Sequence, residues 1–259
     1  MIIATWNVNS LKARMPRVEQ WLADVQPDIL CMQETKMKDS AFPALAFQGL
    51  GYETVHHGFN QWNGVAILSK VGIEQPVNGF AGGITPDPDA RLISATCGGI
   101  RVHSVYVPNG REVGHDHFHY KLSWLDRLVE HLDATCRPSD RVVVAGDWNI
   151  APSDQDVWNP RLFETSTHVT PEERSALDAV KDWGLVDTFR ARHPEEQLFS
   201  YYDYQAGRFH KREGMRIDFL LASEPLAEEN FFDLVDRNGR KGTKPSDHAP
   251  VLAGFRTSV

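Results

Sequence analysis

The chain has 259 residues, 41% of them hydrophobic and 24% charged, a balance that excludes collagen-like, coiled-coil and disordered readings. Twenty-seven Lys and Arg against 35 Asp and Glu leave a formal charge of −8, which argues against non-specific nucleic-acid binding through a generally basic surface. A chain of this length buries about three quarters of its unfolded surface and needs no disulfide or structural metal, and no run of 18 apolar residues is there to span a bilayer.

The first strand is expected at once, over residues 2–5. The opening MIIATWNVNS has neither the basic start nor the apolar length of a secretory signal, so a cytoplasmic protein is expected. Val18, Trp21, Leu22 and Val25 then recur at helical spacing, and Pro27 stops that helix. Short β-branched runs predict strands over 28–32, 64–69, 92–96 and 100–107. Phe118, Leu122, Leu125, Val129 and Leu132 alternate steps of four and three and make one apolar helical stripe. Another strand is expected over 141–145. Thr170 is a good N-cap, Pro171 suits the first helical position and Glu173 completes a capping box. Leu177, Val180 and Trp183 supply that helix's buried side before Gly184 ends it. Strands over 217–222 and 251–255 close the series. Few helices among many strands predict a layered α/β fold with sheets at its heart. With no linker, composition break or repeat, a single domain over 1–259 is expected.

Cys31, Cys97 and Cys136 are far apart and odd in number, which reads as buried free thiols. Two segments are locally basic. Residues 205–216 hold Arg208, Lys211, Arg212 and Arg216, and residues 237–244 hold Arg237, Arg240, Lys241 and Lys244. Each reads either as a solvated loop or as a contact to phosphate, with Arg212, Arg216 and Lys241 the candidate contacts.

The informative pattern lies in the polar residues at the strand ends. Residues 2–5 run into Asn7, 28–32 into Glu34, and 141–145 into Asp147 and Asn149. Residues 100–105 lead to Tyr106 and Asn109, Asp218 sits within an apolar run, and Asp247-His248 precedes the last strand. Carboxylates and amides in strand-rich sequence are costly to bury unless paired or bound to a cation. Aligned strands would bring Asn7, Glu34, Asp147, Asn149 and Asp247 to one rim. Such an oxygen-rich set suits a hard cation like Mg²⁺, and no Cys or His cluster has zinc spacing. Taken singly, each of these sites also reads as a turn, a cap or a plain surface acid. His248 beside Asp247, with Asp218 elsewhere, suggests an imidazole oriented by a carboxylate. No GxSxG, GxxxxGK(S/T) or GxGxxG motif is present. The stretch His115, Asp116, His117, His119 reads as a loop leading into a helix or as a metal site.

The motifs ATWNVNSL, DILCMQETK, NGVAILS, YVPNG, GDWNIAP, WGLVDTFR, GMRIDFLLAS and KPSDHAPV resemble, in order and spacing, those of the exonuclease III family of abasic-site endonucleases and 3′-exonucleases. The resemblance runs from residue 2 to about residue 255. It implies a four-layered α/β sandwich of two mostly antiparallel sheets flanked by helices, with the active site at one edge. It also implies Mg²⁺, which Mn²⁺ can replace, and a monomer hydrolysing double-stranded DNA 5′ to abasic sites and at 3′ ends.

Residue by residue, the resemblance makes Glu34 the principal metal ligand, with Asn7 beside it and Asp247 supporting the ion. Asp147 would orient or deprotonate the attacking water, and Asn149 would stabilise the developing charge. Asp218 would orient His248, which contacts the scissile phosphate. Tyr106 would be an active-site phenol, and Asn109 would lie near the phosphate. Tyr201, Met215 and Ile217 would build the pocket for the abasic sugar, although core packing is an equal reading of Met215 and Ile217. Asn9 stands where some relatives carry an Asp. His168 falls where relatives specialised for 3′ ends carry a bulky residue, so a 3′-end-specialised enzyme is the alternative. A phosphodiesterase acting on lipid or small molecules is the more distant one.

Overall fold

A computed structural model of the chain describes residues 1–256. Its strands are β1 Ile2–Asn7, β2 Ile29–Gln33, β3 Glu53–His57, β4 Val65–Ser69, β5 Glu74–Asn78, β6 Leu92–Cys97, β7 Ile100–Tyr106, β8 Val142–Asp147, β9 Leu185–Asp187, β10 Asp218–Ser223, β11 Asn230–Val235 and β12 Val251–Phe255. The helices are α1 Leu11–Val25, α2 Ala44–Gly49, α3 Asp116–Thr135, α4 Pro171–Asp182 and the short α5 Thr188–Arg192, α6 Arg208–Lys211 and α7 Glu224–Ala227. The strands form two six-stranded sheets, ordered β11-β12-β1-β2-β4-β3 and β5-β6-β7-β8-β10-β9. Pairing is antiparallel except for β1 with β2 and β7 with β8. Each sheet therefore carries one parallel pair at its centre.

The side-chain alternation of these strands builds the layers. Ile3, Ile29, Cys31, Val65 and Ile67 of the first sheet meet Ile93, Val102, Val143, Ala145 and Leu220 of the second. The intervening residues Ala4, Leu30, Met32, Ala66 and Leu68 turn outward onto Val18, Trp21 and Leu22 of α1 and Phe47 of α2. On the other side Val142, Val144, Phe219 and Leu221 meet Trp124, Leu125, Leu128 and Leu132 of α3 and Leu177 and Val180 of α4. Strands covered on both faces read as continuous apolar runs, which is why these are legible in the sequence. The expected four-layered sandwich is the fold adopted.

The expected helices differ mainly at their ends. The first begins at Leu11 and stops where Gln26 turns left-handed (φ 51°), its N–H closing on the Leu22 carbonyl. Val25, expected on the buried stripe, is 36% exposed. Thr170 and Glu173 form the expected capping box of α4. His115 is the N-cap of α3, its ring nitrogen accepting the His117 N–H. Cys31 and Cys97 are buried and all three thiols are free.

His103 and His131 are buried between β7 and α3, each within 3.4 Å of the Ser94 hydroxyl. Burial, with Arg101 nearby, pushes His131 down to about 4 and holds His103 well below the usual imidazole range. The folded chain keeps both neutral while the unfolded chain protonates them below about 6.5. Their contribution is thus complete above that pH and is lost as pH falls toward 4. Asp147 and Asp233 work in the opposite sense, since burial raises them to about 7 and about 6. The histidine effect is therefore read as a difference. In urea unfolding between pH 6 and 5, His131→Gln should lose about 1.4 kcal/mol less per pH unit than the parent. An unchanged slope would show that His131 titrates normally.

Candidate active site

Strand direction gathers the site. β1 and β2 run parallel in one sheet and β7 and β8 in the other, and all four end at the same edge. Asn7 closes β1, Glu34 comes directly after β2, Tyr106 closes β7 and Asp147 closes β8. β10 runs the other way, so Asp218 at its start is paired with Asp147. His248 arrives at the same edge just ahead of β12. Asn7 stitches the two sheets together, its Nδ2 donating to Glu34 Oε1 and to Asp147 Oδ2, both at 2.8 Å. Its Oδ1 accepts the Asn9 N–H at 3.0 Å.

The three central groups carry different charges for identifiable reasons. Burial would raise the Glu34 carboxyl, but Lys36 at 2.8 Å and the Asn7 bond outweigh it and hold the group below the usual carboxylate range. Burial raises Asp147 to about 7, helped by Asp218 and opposed by His248. Burial would lower His248, yet Asp218 and then Asp147 overcome it and push the imidazole up to about 10. Asp218 holds His248 Nδ1 at 2.8 Å, and the Ser200 hydroxyl fixes that carboxylate at 2.6 Å. The other ring nitrogen stands 3.9 Å from Asp147 Oδ2. One ligand-type atom each from Glu34, Asp147 and His248 lies within 4.8 Å of the others. Of these, the protonated imidazole is a hydrogen-bond donor rather than a metal ligand.

These groups open into a cleft of about 600 Å³ whose lining includes Glu34, Tyr106, Asn109, Asp147, Asn149, His168, Tyr201, Asp247 and His248. Tyr106 carries a neutral phenol, because burial and then Glu34 hold its pKa well above the usual value. Asn149 takes a left-handed backbone (φ 51°), with Nδ2 on the Val107 carbonyl and Oδ1 accepting from Asn109 at 3.1 Å. His168 Nε2 sits 3.1 Å from Asn149 Oδ1 and 3.2 Å from Asn109 Nδ2. Asp247 Oδ1 accepts from Asn9 Nδ2 at 3.0 Å, and Asn9 Oδ1 accepts from Lys36 at 2.6 Å. Met215 and Ile217 belong to a buried satellite cluster with Val157 and also line the cleft beside Tyr201. Packing and pocket are here the same surface.

The basic residues separate. Arg212 and Lys241 are exposed and share a shallow groove with Phe209 and Arg237, outside the main cleft. Arg216 is a correction to the sequence reading. It is 1% exposed, bonded to Asp156 at 2.7 Å and to both oxygens of Asp187 at 3.1 and 2.8 Å. Its charge is fully engaged inside the protein and is out of reach of a DNA phosphate.

Three further residues of the site are missed by sequence reasoning. Lys36 lies within the DILCMQETK motif, where the glutamate alone stands out. Ser200 has no sequence signal. Lys121 is completely buried behind Asn149, and its signal is its spacing, three residues after Phe118 and four before Leu125 on the apolar stripe.

A family model described as the Endonuclease/Exonuclease/phosphatase family matches residues 4–248. The exodeoxyribonuclease III of Haemophilus influenzae is 34% identical over 270 aligned residues, covering 99% of this chain and 100% of that protein. Among solved structures, an AP endonuclease from Archaeoglobus fulgidus superposes with a TM-score of 0.96 at 38% identity, over 99% of this chain and 100% of that one. A 3′ phosphatase from Neisseria bound to a product DNA hairpin superposes at 0.95, with the same identity and coverage. Matched by that family model over most of its length and 34% identical to an exodeoxyribonuclease III along the whole of that protein, the chain belongs to the endonuclease/exonuclease/phosphatase family, within its exonuclease III branch.

Proposed function

We propose that this protein is a Mg²⁺-dependent DNA-repair nuclease that hydrolyses phosphodiesters 5′ to abasic sites and processes 3′ ends as exonuclease, phosphatase or phosphodiesterase. It acts on duplex DNA as a cytoplasmic, single-domain monomer. The observation that carries this reading is the meeting of Glu34, Asp147 and His248 at one cleft walled by Tyr201, Met215 and Ile217. Among the described residues no helix is long and apolar enough to cross a membrane.

The donor set fits a hard divalent ion. Glu34 is an ionised carboxylate and Asp247 lines the same cleft, whose lining includes no cysteine, while His248 is held protonated and Asn7 turns its Nδ2, not its oxygen, to Glu34 and Asp147. These oxygens match Mg²⁺, and Mn²⁺ shares the preference. When bound, the ion supplies positive charge to the phosphate oxygens.

The protein's own groups do the rest. A phosphodiester resists attack because its oxygens repel a nucleophile, so hydrogen-bond donors must surround them. His248 donates from Nε2 as an imidazolium, and Asp218 keeps it charged and aimed. Asn149, Asn109 and the Tyr106 phenol line the same cleft as further polar contacts. Asp147 takes the proton of the attacking water, a step worth about 10²–10⁴-fold. Tyr201, Met215 and Ile217 receive the abasic sugar, whose extrusion unstacks no base. Arg212 and Lys241 contact backbone phosphates beyond the cleft, so each should add about one unit to the salt slope of binding. The test is product analysis on duplexes carrying an internal abasic site or a 3′ phosphate, with and without EDTA, beside bis-p-nitrophenyl phosphate and sphingomyelin. DNA cleavage abolished by EDTA supports the reading. Turnover of the non-DNA esters alone would assign the cleft to a different phosphodiesterase.

His168 favours a second reading, a 3′-end-specialised enzyme with weak abasic incision. Its ring lines the cleft against Asn109 and Asn149, the two amides placed beside the phosphate in this reading. Its backbone is left-handed (φ 85°), a conformation glycine adopts without cost. His168→Gly should therefore fold at least as stably as the parent and raise the ratio of abasic incision to 3′-phosphate removal by about tenfold, near 1.4 kcal/mol. An unchanged ratio would show that His168 does not sort substrates.

A further inference from the structure

We propose that Lys121 and Glu173 are positioning residues that hold Asn109, Asn149 and His168 in register from behind the cleft, a role that rests on the functional reading above. Both side chains are fully buried. Lys121 projects from α3 and Glu173 from the first turn of α4. The Lys121 ammonium pairs with Glu173 Oε1 and donates to the Asn149 carbonyl at 2.7 Å and the Asn109 carbonyl at 3.4 Å. The same carboxylate oxygen accepts the His168 N–H at 2.9 Å and the Thr167 hydroxyl at 2.6 Å. Glu173 Oε2 takes the Thr170 N–H at 3.1 Å and its hydroxyl at 2.9 Å. Asn109, Asn149, Thr167 and His168 all line the cleft, whereas Lys121 and Glu173 do not.

One buried ion pair thus ties together the segment after β7, the segment after β8 and the loop before α4. Packing two helices does not in general call for such a pair, since apolar side chains of similar volume often replace a buried ion pair without loss of stability. What the pair adds is direction. An ammonium needs three acceptors, and here two of them are the backbone carbonyls of the cleft's asparagines. Asn149 and His168 both hold left-handed backbone, which persists in non-glycine residues only where the surroundings fix it. Burial pushes the Glu173 carboxyl up, and Lys121 and Thr167 outweigh it, so the acceptor stays ionised.

The test is the double variant Lys121→Met/Glu173→Gln, which removes both charges together and keeps their shape. It should melt within a few degrees of the parent, with KM for DNA and the Mg²⁺ midpoint within threefold. Its kcat should fall by about 100-fold, as expected for a reacting geometry displaced by about 1 Å. Amide exchange at His168 should rise at least tenfold while β8 stays protected. A folded double variant with parental kcat, or a loss carried by KM or by the metal midpoint, would overturn the proposal. Should the double variant fail to fold, Thr167→Val removes only the hydroxyl between Glu173 and the Asn109 carbonyl. It should lower kcat by about tenfold at unchanged KM, and an unchanged kcat would overturn the proposal equally. If the parent itself leaves both DNA substrates intact, the functional reading fails. His168 amide exchange in the variant then decides the brace alone: a tenfold rise upholds it and parental exchange overturns it.

Discussion

Asp147→Asn should lose roughly 10³-fold in turnover while binding duplex DNA at least as tightly as the parent. The substitution is isosteric, so it keeps an acceptor for the Asn149 N–H, now 2.9 Å from Asp147 Oδ1. What disappears is a carboxylate that burial raises to about 7 and whose Oδ2 stands 3.9 Å from the charged imidazole. Removing a negative charge from beside the phosphate lowers repulsion, which is why affinity should hold or rise. Single-turnover cleavage of an abasic duplex and fluorescence anisotropy check the two halves separately. Near-parental turnover would remove Asp147 from the mechanism. The parent's pH profile carries the same information. Without a cation Asp147 loses its proton at about 7, so turnover should rise through neutral pH. That limb should move to lower pH as Mg²⁺ is raised, because a nearby cation favours the carboxylate.

Glu34→Gln should raise the Mg²⁺ concentration for half-maximal activity by about 10–100-fold and leave the fold intact. Gln retains an oxygen for Asn7 Nδ2 but loses the ion pair with Lys36. A neutral amide cannot hold a divalent ion as a carboxylate does, and Lys36 is then left without its counter-charge. Mn²⁺ titration followed by calorimetry separates the effect from catalysis. An identical midpoint in the variant would mean that Glu34 is not a ligand.

The strands that build the site are legible because they are buried on both faces, and their apolar runs end abruptly in polar residues. The four strands that are not, β3, β5, β9 and β11, are the edges of the two sheets. An edge strand has solvent along one side and needs no apolar run. Glu74–Asn78 reads EQPVN, with a proline that an edge tolerates. The acids at the strand ends are visible for the same reason as the strands. Arg216 misleads because its burial depends on Asp156 and Asp187, which lie 60 and 29 residues away in sequence. An arginine in a basic stretch gives no sign of partners so distant. Lys121 is the converse case, since its helical spacing already places a charge on a buried face. Only the fold shows that Glu173, read as a helix cap, is its partner.

The most direct measurement is an anomalous difference map from crystals grown with Mn²⁺ and a duplex ending in a 3′ phosphate. A manganese peak on Glu34, with the phosphate oxygens within hydrogen-bond reach of His248 Nε2 and Asn149, is the predicted result. Manganese or phosphate settling away from the ends of β1, β2, β7 and β8 would contradict the account.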